Sequence, residues 1–139
     1  MTVNLNGALY DWVNTSAVLA GPGKPLAKGA MRHPPRSPGR GCYVTIAIES
    51  DVEGLDAEGV TVGADVTFTT YSVTDAESSR LAGIALAGEL MRLSRTKPVV
   101  ASASAQLLMA APVGWPEAVD DDSGEYRHTV RATVYAAPA

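Results

Sequence analysis

Three stretches of the chain alternate apolar and polar side chains with a period of two, and this alternation constrains the fold more than any other feature. In residues 42–49, Cys42, Val44, Ile46 and Ile48 fall on one side and Tyr43, Thr45, Ala47 and Glu49 on the other. In residues 60–71, Val60, Val62, Ala64, Val66 and Phe68 oppose Thr61, Asp65, Thr67, Thr69 and Tyr71. In residues 125–136, Val130, Ala132, Val134 and Ala136 oppose Arg127, Thr129, Arg131, Thr133 and Tyr135. Successive side chains of a strand point to opposite faces, so each run reads as a strand with one buried and one polar face. That is the pattern of an antiparallel sheet covered on one side. The first two runs, joined by an acidic Gly-containing segment at 50–59, are expected to pair as a hairpin. A fourth run, 99–111, has helix-forming Ala-Gln-Leu-Leu-Met-Ala, yet its odd positions Val99, Ala101, Ala103, Ala105, Leu107, Met109 and Ala111 all share one side. It is read as one strand, followed by a turn-rich acidic segment at 112–124.

Two stretches carry the helical period instead. Between Asn4 and Leu19, Leu5, Ala8, Leu9, Trp12, Val13, Ser16 and Ala17 recur at three- and four-residue spacing, and Gly21-Pro22 is a stop signal. Thr74-Asp75-Ala76-Glu77 has the form of a capping box, with Thr74 as cap and Glu77 reaching back. The helix it opens is expected to run to about Arg92, with a core stripe of Leu81, Ile84, Ala85, Gly88 and Met91 widened by Leu86, Leu90 and Leu93. The order α-β-β-α-β-β predicts a single α+β domain over residues 1–139, a four-stranded, mainly antiparallel sheet with two helices packed on one face. A chain of 139 residues buries a hydrophobic core without metals or bridges, and its single cysteine, Cys42, excludes an internal disulfide framework.

Residues 20–41 interrupt this pattern with five Gly, five Pro, five Lys or Arg and no acid. Proline removes backbone donors and glycine favours conformational freedom, so neither a regular helix nor a central strand fits. The segment is expected to be a flexible basic loop, and a loop this long inside a compact domain usually has a use. Its cations, Lys24, Lys28, Arg32, Arg36 and Arg40, contrast with two acidic clusters: Glu49, Asp51, Glu53, Asp56 and Glu58, then Glu117, Asp120, Asp121, Asp122 and Glu125. Solvated loops account for such charges; a basic loop on one copy meeting acidic loops on a neighbour accounts for them with a purpose. The polar strand faces divide the same way. Thr-rich alternation makes an ordinary solvated face, while Arg127, Arg131 and Tyr135 are residue types favoured at subunit interfaces.

No chemistry-bearing motif appears. With two histidines and one cysteine there is no CxxC or HExxH spacing for a metal, and no G-x-S-x-G for a nucleophile. Cys42 reads as a small core hydrophobe. G-P-G-K-P lacks the P-loop order and follows a helix, and Asp120-Asp121-Asp122 lacks the spacing of a calcium loop. The expectation is therefore no enzyme, no cofactor and no metal. The net charge of −4 and the absence of an aromatic residue in the basic loop argue against a dedicated nucleic-acid reader, leaving non-specific phosphate contact. No signal peptide or apolar run of membrane length is visible.

The element order, the long loop after the first helix and the junction Thr70-Tyr71-Ser72-Val73-Thr74-Asp75-Ala76-Glu77 between strand and acidic helix start resemble the tail terminator (tail completion) proteins of long-tailed bacteriophages. Residues 68–86 carry the likeness best, and the closing run Tyr126–Val134 is similar to that family's last strand. The resemblance implies a homohexameric ring in the virion, assembled in the host cytoplasm. Such a ring caps the head-proximal end of the tail tube, ends tube polymerisation and joins the tail to the head connector. The implied partners are other copies of the chain, the major tail tube protein, the head–tail connector protein and, non-specifically, genomic DNA in the lumen, with no membrane. Lys24, Lys28, Arg32, Arg36, Arg40, Glu49, Asp51, Glu53, Asp56, Glu58, Asp120, Asp121, Asp122, Arg127, Arg131 and Tyr135 are the expected assembly or lumen contacts. Another neck protein of the phage, or a small host domain binding nucleic acid or a ligand, are the alternatives.

Overall fold

A computed structural model describes residues 4–33, 40–52, 61–93, 95, 99–102, 105–119 and 125–138. The chain runs α1 (Leu5–Thr15), β1 (Tyr43–Val52), β2 (Val62–Ser72), α2 (Ala76–Leu93), β3 (Val99–Ser102), β4 (Ala105–Val119) and β5 (Tyr126–Ala137). It is an α+β fold in the expected order, with two helices and an antiparallel sheet. The strands lie in the order β1-β2-β5-β4-β3, every neighbouring pair antiparallel.

Four long strands match the four alternating runs, and the fifth comes from dividing the last ambiguous one. Residues 99–111, expected as a single strand, contain β3 and the start of β4, which pair antiparallel with Ser102 opposite Ala105. The stretch 101–105 is only Ala and Ser, weak strand formers with no bulk to hold one long strand. The odd-position pattern also fails inside β4. Ala105 and Leu107 are buried, a register shift follows between Leu107 and Met109, and the next buried residue is Ala110. One extra residue in a bulge moves the later side chains to the opposite face. The expected turn region at 112–124 is in part strand as well, since β4 continues to Val119.

Both helices cover one face. α2 packs on β2, β5 and β4, and α1 on β1, β3 and β4. Between them lie Val44, Ile46, Val66, Phe68, Leu107, Val130 and Val134 from the sheet, with Leu9, Val13, Leu86 and Leu90 from the helices.

α1 is capped by Asn4, whose Oδ1 accepts from Gly7 N–H at 2.9 Å. It stops at Thr15 rather than Leu19: the Ser16 hydroxyl accepts from the Val18 and Leu19 amides at 3.3 and 3.2 Å, which turns the chain before the Gly-Pro signal. α2 is capped by Asp75, not Thr74. Its Oδ1 accepts from Ser78 N–H at 2.6 Å, while Glu77, instead of reaching back, pairs with Arg80. Ser72 Oγ prepares this start by accepting from the Thr74 and Asp75 amides at 3.1 and 3.3 Å.

The core stripe of α2 is rotated from the expected one. Ser79, Ala82, Gly83, Leu86, Ala87, Leu90 and Leu93 are buried, whereas Leu81 and Met91 are 51% and 46% exposed. Two contacts set the rotation. Gly83 lies against Pro116 so closely that a Cβ there would sit 3.1 Å from the proline ring, and Ser79 is hydrogen-bonded to His128 on β5.

Candidate assembly surface

The basic segment is a strap, held against the body through its described residues. Leu26 N–H donates to Leu19 O at 2.8 Å, Lys28 N–H to Cys42 O at 3.0 Å, Met31 N–H to Val44 O at 3.0 Å, and Val44 N–H to Gly29 O at 3.0 Å. Asn14, on the exposed end of α1, grips the strap from the other side. Its Oδ1 accepts from Ala30 N–H at 2.8 Å and its Nδ2 donates to Ala30 O at 3.2 Å. Gly29 passes beside it with φ of +66°, and a Cβ on that residue would overlap Asn14 Oδ1. Leu19 and Leu26 are both wholly buried. Burying a leucine contributes about 1.5–3 kcal/mol, which opposes release of the strap. Residues 20–33, expected as part of a flexible loop, are held here by two buried leucines, Leu19 and Leu26, and by hydrogen bonds to their flanks.

The strap carries its cations outward. Lys24, Lys28, Arg32 and Arg40 are exposed, and the Arg32 guanidinium lies 4.8 Å from the centre of the Tyr10 ring. Arg36 lies outside the described residues. Beside the strap, Gly23, Lys24, Pro25, Ala27, Gly41 and Cys42 face Ser78, Leu81 and Ala82 of α2 across a groove of about 400 Å³. Cys42 is buried at its floor; burial pushes its thiol pKa up, against a lowering hydrogen bond from Ser72.

The sheet face away from the helices holds the other expected residues. Tyr43, Tyr71 and Arg127 line up across β1, β2 and β5. The two tyrosine rings stack at 4.7 Å and 5°, and the Arg127 guanidinium lies 5.0 Å from the centre of the Tyr71 ring. Tyr43 Oη donates to Glu125 Oε2 at 2.9 Å; burial first, then this bond, raise the phenol pKa well above its ordinary value. Arg127 is therefore a half-buried member of a cross-strand stack. Arg131 is exposed and Tyr135 half-buried farther along β5. Glu49 and Arg131, expected separately, line one groove of about 250 Å³ with Asp65, Val113 and Thr133, in which Thr133 Oγ1 donates to Asp65 Oδ1 at 2.8 Å. Asp51 lies within β1. Glu53, Asp56, Glu58, Asp120, Asp121 and Asp122 lie outside the described residues.

The sheet register separates the acidic segments. The connection after β1 leaves the end where Val62 faces Ala136, and the connection after β4 leaves the opposite end, where Val119 faces Arg127. The strap enters β1 at this second end, on the β1 flank of the sheet, while β4 borders the other flank.

The most prominent exposed residues on β4 belong to none of the expected sites. Beyond Leu107 no described strand covers the outer edge of β4. There the run Val113-Gly114-Trp115-Pro116-Glu117 forms a bulge, since Val113 faces Arg131 and Glu117 faces Thr129. Gly114 takes φ of +72°, in the left-handed region that favours glycine. Val113 is 67% and Trp115 79% exposed. A tryptophan between Gly and Pro was the signal for this surface.

Among the described residues no group of three or more His, Cys, Asp or Glu side chains is placed to hold a metal ion. A serine–histidine pair is buried: Ser79 Oγ lies 2.7 Å from His128 Nδ1 and also donates to Ala76 O at 3.0 Å. Ser79 is wholly buried and His128 6% exposed, so the pair ties α2 to β5. Burial, then the charge of Arg80, lower the His128 pKa, with Glu77 acting in the opposite sense. No described helix is long and apolar enough to cross a membrane. Compared with protein-family models and with curated proteins, the chain matches none.

Proposed function

We propose that the chain is a structural virion protein of a long-tailed bacteriophage, a tail terminator. Copies form a ring on the head-proximal end of the tail tube, end its polymerisation and join the tail to the head connector. The observation that carries an assembly role is the exposure of Val113 and Trp115, 67% and 79%, on a sheet edge. Aromatic residues concentrate at the centres of protein interfaces, and an indole left in water is an anchor without its pocket. The phage assignment draws its support from the likeness of residues 68–86 and 126–134 to the terminator family. On this reading the protein works by geometry: one ring face docks on the last tube ring, the other meets the connector, and DNA passes through the lumen.

The test is light scattering on the purified protein, followed by polymerisation of the major tail tube protein in its presence. Rings by negative-stain microscopy and tubes that stop growing at a capped end are expected. A strict monomer at high concentration, alone and with tube protein, overturns the proposal.

A further inference from the structure

We infer that Trp115 of one copy seats in the groove between strap and α2 of the next, and that this contact links the subunits head to tail. The inference rests on the self-assembly reading above and names its surfaces. Knob and socket are two different surfaces of the fold: Trp115 stands on the outer edge of β4, and the groove opens between the strap, which joins β1, and α2. A contact between two different surfaces of identical chains is heterologous, and it closes into a ring when the rotation between neighbours closes.

The fit is argued from three features. First, size: the groove of about 400 Å³ lies near the lower end of the roughly 300–1,000 Å³ range of pockets that hold small ligands, which suits an indole. Second, lining: Pro25, Ala27 and Leu81 offer apolar contact, and the exposed half of Leu81 is surface that the monomer leaves in water. Third, charge: Lys24 stands at the groove and Lys28 follows on the strap, while Glu117 stands two residues from Trp115. Lys24 beside a seated indole also gains a cation–π contact. Rotation about an axis running roughly along the strands keeps neighbours level. The end of β4 that carries Glu117 then faces the end of β1 that the strap enters.

The edge of β4 is unsuited to the simpler alternative of adding a strand. Pro112 and Pro116 lack amide donors, and the bulge between Val113 and Glu117 breaks the regular ladder. What the edge presents is side chains. Gly83 helps to place them, because a Cβ there would press on the Pro116 ring at 3.1 Å.

Complementary variants test the contact. Trp115→Ala removes the knob and keeps the groove; the double variant Lys24→Glu with Leu81→Gln spoils the groove and keeps the knob. Each is expected to weaken self-association by at least about thirtyfold, the effect of losing an interface anchor, with circular dichroism unchanged. Mixed one to one, they are expected to form a dimer and nothing larger, since one knob finds one groove. In the wild type, emission is expected to shift to the blue as concentration rises, because Trp12 is 8% exposed in the monomer and Trp115 79%. A wild-type monomer at all concentrations overturns the inference and the self-assembly reading together. Rings from Trp115→Ala as stable as wild type, or no dimer in the mixture, overturn the inference alone. Loss of tube-protein binding with self-association intact also overturns it, by making the tube protein the partner of Trp115.

Discussion

If the strap is built into the fold, removing its clamp must cost stability in a specific, non-additive way. Asn14→Ala deletes two hydrogen bonds to Ala30, at 2.8 and 3.2 Å. Each intramolecular bond contributes about 0.5–1.5 kcal/mol net, and exposure of this pair favours the lower half, so the expected loss is about 1–2 kcal/mol. Gly29→Ala does two things at once. It forces an alanine into the left-handed region at φ of +66°, for about 1–2 kcal/mol. It also drives a methyl group into Asn14 Oδ1, which displaces the amide and loses the same clamp. The expected total is about 2–4 kcal/mol for Gly29→Ala, with the clamp included. In the double variant the clamp is lost only once, so the cost stays at about 2–4 kcal/mol and the two singles overshoot it by about 1–2 kcal/mol.

Urea denaturation of the four proteins of the cycle measures this directly. Hydrogen exchange gives the local view: in Asn14→Ala the Ala30 amide loses protection, while the Leu26 amide, bonded to Leu19 O at 2.8 Å, keeps it. Additive costs, or a loss below about 0.5 kcal/mol for Asn14→Ala, would refute the account of residues 20–33 as a clamped strap.

Three further outcomes follow from named contacts. Asp75→Ala is expected to cost about 1 kcal/mol in denaturant melts and Thr74→Ala only a few tenths, since the Asp75 carboxylate takes the Ser78 amide; equal costs count against Asp75 as the cap. Gly83→Val is expected to destabilise by about 1–3 kcal/mol through overpacking against Pro116 and Val130, and Pro116→Ala in the same chain to recover part of it; no recovery means the bulge does not rest on α2. His128, with its pKa lowered chiefly by burial beside Arg80 and Glu77, contributes no pH dependence above the unfolded value of 6.5. Stability falls as pH drops from there to the folded value, because the unfolded chain binds the proton first. Urea melts between pH 7.5 and 5 check this against His128→Gln, which is expected to flatten the slope; an unchanged slope assigns it elsewhere.

The strands were legible because alternation has one physical cause, burial of one sheet face, and no competing pattern. The phase of α2 was not, because Leu81, Ile84, Ala85, Gly88 and Met91 form as good a stripe as Ser79, Ala82, Leu86, Leu90 and Leu93. Contacts far along the chain, His128 and Pro116, choose between them. Proline and glycine at 112–116 read as turn, although an edge strand tolerates both where no amide is needed. The same composition hid the strap, whose one clue was a pair of apolar residues, Leu19 and Leu26, bracketing the first glycines. For the site, charge drew attention to Lys24, Lys28, Arg32, Arg40 and Arg131, all exposed, but it was blind to Trp115, which carries no charge and belongs to no periodic run.

An ordered strap changes what assembly must supply. Side chains and loops that order on binding cost free energy at that moment, whereas cations held in place before contact do not. The strap and α1 also close part of the β1 edge: Val44 bonds to Gly29 and Met31 of the strap, and the Ile46 amide donates to Tyr10 Oη of α1 at 3.3 Å. With the part of the β4 edge beyond β3 blunted by Pro112, Pro116 and a bulge, these two stretches of edge discourage indefinite strand-to-strand growth. A subunit whose proposed role is to stop a polymer needs contacts that recognise one neighbour through shape and charge. It must not offer the sticky sheet edges through which any copy can add to any other. These two stretches of edge meet that requirement by different means, a partly covered edge beside the strap cations on one side and a proline-guarded edge carrying an exposed indole on the other.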